Sequence, residues 1–397
     1  MRILILSNKL PYPPKDGGAI ATLGLAEGLA DAGAEVTLLA INTKKHYFPV
    51  EEIPVGLTEK VRFLAVSKDT SPRPIHAVIN LLFSRRPYIS ERFKCKAFTV
   101  QLTSLLQQED FDIVQLEGPY LEHLVPLISK YSEARISLRA HNIEHEIWAR
   151  RAGNTRNPAA GFYFRLLARR IRRLEQEMAL ESDLIVAISE RDRERLAGFN
   201  PDAKTITVPA GIDLSKYEPV QPGGDPWPCF IGALDWAPNE EGLRWFINRV
   251  MPILREVQPG ILVHVAGRNA PAELVSLLRS IPGIQYHGEV DDALAFMRSA
   301  SILVVPLLTG SGIRIKILEG MACGMSVITS PVGCEGIDAE DGRHLLIADS
   351  PEEFARNIQH TMTDPALRER LGRESRRLVK EKFDTFTVAS GLLGFYK

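Results

Sequence analysis

This chain is poor in the residues that staple a fold or span a membrane. Its four cysteines, Cys95, Cys229, Cys323 and Cys334, are scattered and form no CxxC pair. That excludes a disulfide framework and a thiolate zinc site, and it fits a reducing compartment. Long apolar runs are missing as well. The amino terminus, MRILILSNKL, holds a short apolar run before Ser7, Asn8 and Lys9. It reads as a first strand rather than a signal peptide. No run approaches a membrane span, so a cytoplasmic location is expected. The net charge is −1, which gives no argument for a nucleic-acid partner. The glycine loop after the first strand, PYPPKDGG, is neither GxGxxG nor a P-loop. The second strand-like run, Glu35–Ala40, closes on Leu39 and Ala40 with no acid. A nicotinamide dinucleotide is therefore not expected.

What is present is alternation. With 397 residues, 45% of them hydrophobic, the chain is too long for one ordinary core and fits two globular domains. Strand-like apolar runs recur at Arg2–Leu6, Glu35–Ala40, Val61–Ala65, Asp112–Leu116, Arg135–Leu138, Asp183–Ile188 and Thr205–Val208. A second series follows at Cys229–Ile231, Ile261–Ala266, Ile284–His287, Ile302–Val305, Val327–Thr329 and His344–Ile347. Helical segments separate them, which implies an α/β chain with two doubly wound, Rossmann-like parallel-sheet domains. Pro209–Pro228, rich in proline and carrying Gly211, Gly223 and Gly224, reads as the linker. The expected division is residues 1–208, a linker at 209–228, a second domain at 229–380 and a closing helical segment at 381–397. Ligands of such sheets bind beyond the carboxyl ends of the strands, so two facing domains are expected to form one deep cleft.

The segment Thr309–Gly324, TGSGIRIKILEGMACG, lies between two of these runs. Ile313, Ile315 and Ile317 alternate with Arg314 and Lys316, as in a strand. A helix from about Lys316 is preferred, because Ile317, Leu318, Met321 and Ala322 then share one apolar stripe. Gly324 supplies its stop. Backbone N–H groups and two cations at a helix start suit a diphosphate. Glu319, one turn later, suits ribose hydroxyls. A buried helix with a surface ion pair is the bland alternative, and the segment alone leaves the two about even.

Other loops fall at the same sheet ends. Gly17 and Gly18 open a helix that could approach an anion. His141 follows the run Arg135–Leu138 and is expected to face ligand, whereas Glu144 and His145 read as solvated helix residues. The triplet Asp110–Phe111–Asp112 precedes its strand and is read as a loop, not a metal site. Glu117, at the far end of that strand, is expected on the acceptor side with Asp16. In the second half, Gly232, Gly267, Arg268, Glu289 and Val290 end successive strands. Gly232 suits phosphate approach, Trp236 stacking or core, and the backbone at Glu289 and Val290 a base edge. Between Arg150 and Arg173 lie eight arginines and no acid. Such a basic helix is most often solvated, and peripheral contact with an anionic membrane is the alternative.

In this order and spacing, PYPPKDGGAI, SDLIVAISE, VPAGID, GALDWAPN, VAGRN and GSGIRIKILEGMACGMSVITSPVG resemble a GT-B glycosyltransferase of the large retaining family 4. The resemblance covers nearly the whole chain. It implies a metal-independent enzyme, without a cofactor, moving a hexose-type sugar from a UDP- or GDP-sugar to a glycan or lipid-linked acceptor. It also implies that the donor is held mostly by the second domain and that the last helix crosses back to the first. By position, Glu319 matches a ribose-binding glutamate and His141 a histidine near the transferred sugar. Gly17 and Gly18 match a loop near the donor phosphates. Ser311, Gly312 and Ile313 complete the donor loop with Arg314 and Lys316. The chain departs from the family twice: Ser311 stands where a second glutamate is usual, and Gly232–Gly242 lacks the usual arginine and lysine. Arg314 and Lys316 are inferred to supply that charge. A nucleotide-sugar 2-epimerase and a non-catalytic nucleotide-sugar-binding subunit are the competing readings.

Overall fold

The apolar runs become strands because helices cover both faces of each sheet, which favours continuous rather than alternating hydrophobicity. The structure, a computed structural model, describes residues 1–155, 157–219, 226–310 and 312–397. It divides into two compact units, Met1–Gly211 with Thr385–Lys397, and Ile212–Asp384.

The first unit holds seven parallel strands: β1 (Arg2–Ser7), β2 (Glu35–Thr43), β3 (Val61–Lys68), β4 (Ile113–Glu117), β5 (Arg135–Ala140), β6 (Leu184–Ala187) and β7 (Lys204–Thr207). Their order, β3-β2-β1-β4-β5-β6-β7, reverses direction between β1 and β4, where Leu6 pairs with Leu116 and Ser7 with Glu117. The helices that matter below are α1 (Gly17–Asp31), α2 (Pro74–Phe83), α3 (Glu144–Asn154) and α4 (Pro158–Leu180). Asp16 caps α1 by accepting from the Ala19 N–H, which satisfies one of the donors a helix start leaves open. The C-terminal helix Thr385–Tyr396 lies on α1. A Cβ at Gly28 would come within 2.8 Å of the Ala389 Cβ, so only glycine admits this approach. Tyr396 is fully buried and its hydroxyl donates to Gln115 Oε1 at 2.5 Å.

The second unit holds six parallel strands: β8 (Pro228–Ile231), β9 (Val263–Ala266), β10 (Ile284–Gly288), β11 (Ile302–Val305), β12 (Ser326–Thr329) and β13 (Leu346–Ile347). Their order is β10-β9-β8-β11-β12-β13, reversing between β8 and β11. The relevant helices are α5 (Ala237–Trp245), α6 (Ile315–Ala322) and α7 (Pro365–Lys382). On α6, Ile317, Leu318, Met321 and Ala322 are fully buried, and Gly324 beyond its end takes φ +68°. The helical reading of TGSGIRIKILEG therefore holds, because the apolar stripe has a core to face. Helix α7 crosses this end so closely that a Cβ at Gly372 would lie 2.1 Å from the Gly324 carbonyl oxygen. Arg376 Nη1 donates to the Tyr217 carbonyl at 2.6 Å and to the Ala322 carbonyl.

The linker expectation at 209–228 meets a structure in which Gly211 closes the first unit and Ile212 opens the second. Residues 220–225 lie outside the described residues. Much of the Arg150–Arg173 stretch is one amphipathic helix, α4, capped by Asn157, with Leu167, Ile171, Leu174 and Met178 on its buried face; the first residues of the stretch end α3.

Candidate functional site

In the first unit a cavity of about 140 Å3 opens where the strand order reverses, lined by Ser7, Lys9, Glu117, Tyr120, His141 and Glu144 among others. This is the position at which doubly wound sheets bind ligands. A larger open depression, about 980 Å3, lies at the amino ends of the strands and includes Asp110 and Asp112. Its place in the fold is the wrong one for that rule. Asp112 there accepts from the Arg2 N–H at 2.6 Å, as befits a structural loop. No cluster of potential metal ligands occurs among the described residues.

Glu117 organises the smaller cavity from below. Only 4% exposed, its Oε2 accepts from Thr22 Oγ1 at 2.7 Å, Arg139 Nη1 at 3.1 Å and His141 Nε2 at 2.6 Å. Gln115 Nε2 donates to its Oε1, which links the carboxylate through Gln115 to Tyr396. Burial would raise the Glu117 carboxyl, yet Arg139 and His141 with these hydrogen bonds lower it to about 2. An ionised carboxylate can only accept, so His141 donates to it through Nε2. The expectation for Glu117 is thereby corrected. Its oxygens are consumed inside the fold, and it anchors His141 rather than presenting itself to an acceptor.

Two further expectations change. Asp16 is held by Lys9 Nζ at 2.6 Å while capping α1. Burial works against its carboxylate, but Lys9 and the Ala19 N–H keep its pKa below the usual value. The α1 start at Gly17 and Gly18 therefore already has an anion on it, supplied by the chain itself. Glu144 and His145 are not solvated. Tyr120 donates to Glu144 Oε2 at 2.7 Å, and His145 Nδ1 pairs with Glu175 at 2.5 Å. Glu144 is half-buried as a residue, but desolvation of its carboxyl, with Glu175 nearby, outweighs the phenol and raises it to about 7. Tyr120, Glu144 and Glu175 escaped the sequence because they meet from β4–α3 and α4 segments far apart in the chain.

In the second unit the strand reversal falls at the ends of β8 and β11, and α6 starts beside it. Lys316 Nζ donates to Asn239 Oδ1 at 2.7 Å and to the Ile231 carbonyl, the last of β8, at 3.3 Å. It also stands 4.5 Å from the Phe230 ring centroid. A Cβ at Gly232 would come within 3.1 Å of that ammonium. Lys316 is half-buried as a residue, yet desolvation and then the Arg314 charge press its ammonium down to about 7, against Glu319. Arg314 occupies the N-cap position of α6 and is 5% exposed. Its Nη1 donates to the Gly312 carbonyl at 2.6 Å, and its guanidinium lies 5.8 Å from the Trp236 ring. Among the described residues no side chain caps α6; the Ile317 N–H turns back to the Arg314 carbonyl at 2.8 Å, and the N–H groups of Ile315 and Lys316 are the ones an anion there would meet. Glu319 accepts from the Tyr217 hydroxyl at 3.1 Å. Burial raises its carboxyl, opposed by Tyr217 and Lys316.

The remaining loop residues divide by role. Gly267 is a packing glycine: a Cβ there would fall 2.2 Å from the Gly232 carbonyl oxygen, and its N–H donates to the Gly288 carbonyl at 2.8 Å. The β8, β9 and β10 loops are thus laid on one another. Arg268 is half-buried; its carbonyl accepts from the Leu234 N–H at 2.9 Å, and its guanidinium has no hydrogen-bond or ion-pair partner among the described residues. Glu289 is exposed and Val290 packs on the core. Gly312 takes φ +76°. The Ile313 side chain is 9% exposed and packs in the core. Ser311 lies outside the described residues. Asn239 and Tyr217 are the residues the sequence reading missed. Asn239 stood in the quoted GALDWAPN, but only the fold shows its amide oxygen on Lys316.

Two doubly wound parallel sheets of this order make up the GT-B fold. A model described as Glycosyltransferase Family 4 matches residues 15–216, just over half of the chain, and one described as Glycosyl transferases group 1 matches residues 225–364. The chain belongs to glycosyltransferase family 4. Among curated proteins, an uncharacterized 44.6 kDa protein in the cps region of Klebsiella pneumoniae is 23% identical over 98% of both chains. A phosphatidyl-myo-inositol mannosyltransferase of Propionibacterium freudenreichii is 25% identical, over 57% of this chain and only 54% of its own. Among solved structures, sucrose-phosphate synthase from Thermosynechococcus elongatus aligns with a TM-score of 0.72 at 18% identity, covering 100% of this chain and 98% of that one. Anabaena HepE in complex with UDP aligns at 0.69 and 12%, covering 100% and 99%.

Proposed function

We propose that this glycosyltransferase moves a hexose-type sugar from a UDP- or GDP-sugar to a glycan or lipid-linked acceptor, with retention and without a metal ion. The observation that carries this reading is Lys316 at the β8–β11 reversal, beside the uncapped start of α6 and with Arg314 next to it. Cations and N–H dipoles there suit the diphosphate, and Glu319 suits the ribose. The relative crystallised with UDP and with UDP-glucose makes uridine the first base to test.

In the reaction the bond from the anomeric carbon to the diphosphate oxygen breaks as the acceptor oxygen bonds to that carbon. Charge grows on the leaving diphosphate, so Lys316, Arg314 and the α6 N–H groups stabilise the transition state more than the ground state. The departing phosphate oxygen takes the acceptor proton on the same face. His141, oriented by Glu117, hydrogen-bonds the sugar being transferred. Thermal-shift measurements with UDP, GDP and ADP test the site directly. One diphosphate should raise the melting temperature, and Arg314→Ala and Lys316→Met should each reduce that rise. The proposal fails if no nucleoside diphosphate stabilises the protein. A bound donor that epimerises without an acceptor would instead favour the epimerase reading.

A further inference from the structure

Helix α2 is amphipathic the wrong way round. Ile75, Val78, Ile79, Leu82 and Phe83, spaced i, i+3, i+4, i+7, i+8, are 74%, 55%, 51%, 68% and 84% exposed. That spacing ordinarily marks the stripe a helix turns to its core. Here the buried position of the helix is Asn80, and the apolar stripe faces outward. Single exposed apolar residues need no explanation, but a continuous stripe of five does.

Between positions 165 and 173 the neighbouring helix carries arginines and no acid. Arg170 of α4 donates to the Asn80 and Leu81 carbonyls at 3.2 and 2.9 Å, fastening the end of α2 to α4. Arg165, Arg169, Arg172 and Arg173 are exposed on α4, and none has an ion-pair partner among the described residues. Arg73 and Arg85 flank α2 itself.

We propose that α2 and the arginine row of α4 form a docking surface for an anionic lipid bilayer, with α2 lying in the interface. The stripe is convex, so a protein partner would need a matching groove, whereas acyl chains close around any apolar ridge. A symmetric contact between two copies would bring the same arginines together, which like charge opposes. Helix α2 has ten residues, about 15 Å of rise, too short to span a bilayer but ample to lie in its surface. No helix among the described residues is long and apolar enough to cross a membrane. The inference does not depend on the donor site, and it presents a lipid-linked acceptor from the surface on which the enzyme sits.

The test is flotation of the full chain with vesicles of phosphatidylcholine alone or with about one-third phosphatidylglycerol. The chain should float with the anionic vesicles and stay behind with the neutral ones. The triple variant Ile79→Asp, Leu82→Asp and Phe83→Asp should lower the bound fraction at least about tenfold. The pair Arg165→Glu and Arg169→Glu should lower it and weaken its dependence on salt. Both variants change only outward-facing side chains, so their melting temperatures and their stabilisation by UDP should match the parent. Absence of binding to anionic vesicles overturns the proposal, as does equal binding by the aspartate variant. A dimer in lipid-free solution that the aspartate variant dissociates also overturns it, assigning the face to a second copy.

Discussion

If Lys316 grips a phosphate, binding must carry a proton with it. Before ligand arrives, enclosure by Phe230, Asn239 and Gly232 holds the ammonium near pKa 7. A dianionic phosphate at this site restores the charged form and raises its pKa back towards the usual 10.5. At pH 8 about 90% of Lys316 is then neutral in the empty protein, and binding takes up about 0.9 proton; at pH 6 the uptake falls to about 0.1. The sign follows from linkage: ligand binding favours the protonated state, so affinity falls as pH rises above the empty-site pKa. Between pH 7 and pH 9 the affinity should fall about 50-fold, or about 2 kcal/mol. Above pH 7 the terminal phosphate of UDP is already fully ionised, so it adds little to this slope. Titration calorimetry with UDP in two buffers of different ionisation enthalpy reads the uptake directly. Lys316→Met should bind more weakly at pH 6 and show neither uptake nor slope. Tight binding of UDP at pH 8 without proton uptake would refute the assignment of Lys316 to the phosphate.

Four other substitutions probe separate parts of the argument. Glu117→Gln removes the charge opposite fully buried Arg139, whose Nε and Nη2 have no hydrogen-bond partner among the described residues. It should destabilise the first unit by roughly 3–5 kcal/mol, read as a lowered melting temperature. Because the Glu117 pKa is depressed to about 2, its contribution is present above about pH 4.5 and lost as pH falls towards 2. The variant should therefore show a flatter acid limb. Glu144→Gln should remove an ionisation near pH 7 from the turnover profile while leaving UDP affinity unchanged, since Glu144 lines the first-unit cavity. Gly267→Ala drives a Cβ into the Gly232 carbonyl and should cost roughly 1–3 kcal/mol with weaker UDP stabilisation. Gly391→Ala, with open space around it, should be neutral or slightly stabilising.

Strand existence was legible because parallel strands under two helical layers must be continuously apolar, and such runs survive in a single sequence. Boundaries moved where the apolar run and the ladder differ: β2 extends to Thr43, and β9 starts at Val263 rather than Ile261. The Ile313–Ile317 alternation imitated a strand. The stripe from Ile317 to Ala322 decided for helix, because four positions reach the core on one face. What stayed hidden was pairing at long range. Nothing near Glu144 signals that Glu175, thirty-one positions on, accepts from its backbone N–H at 2.7 Å. Nothing near Glu117 announces Thr22, ninety-five positions away on α1. Local pattern specifies which face a residue takes, not which partner waits there. The same limit explains α2, whose periodicity is that of a core helix although its stripe faces out.

One departure from the family pattern, the β8 loop without arginine or lysine, has a counterpart in the geometry of α6. The loop after β8 lacks the arginine and lysine that the resemblance leads one to look for, yet a positive charge still reaches the end of β8. It arrives from the opposite side of the strand reversal, on α6, where the Lys316 ammonium stands 3.3 Å from the Ile231 carbonyl. The β8 loop contributes the neutral half of the arrangement: Asn239 accepts from that ammonium, and Gly232 leaves room for it. An electrostatic site depends on where charge stands rather than on which segment carries it, so a cation from α6 can serve a diphosphate at β8 as well as one from the loop. This placement has a physical consequence. A lysine brought through the helix packing is more desolvated than one on an open loop, which lowers its pKa and makes its affinity for phosphate depend on pH near neutrality.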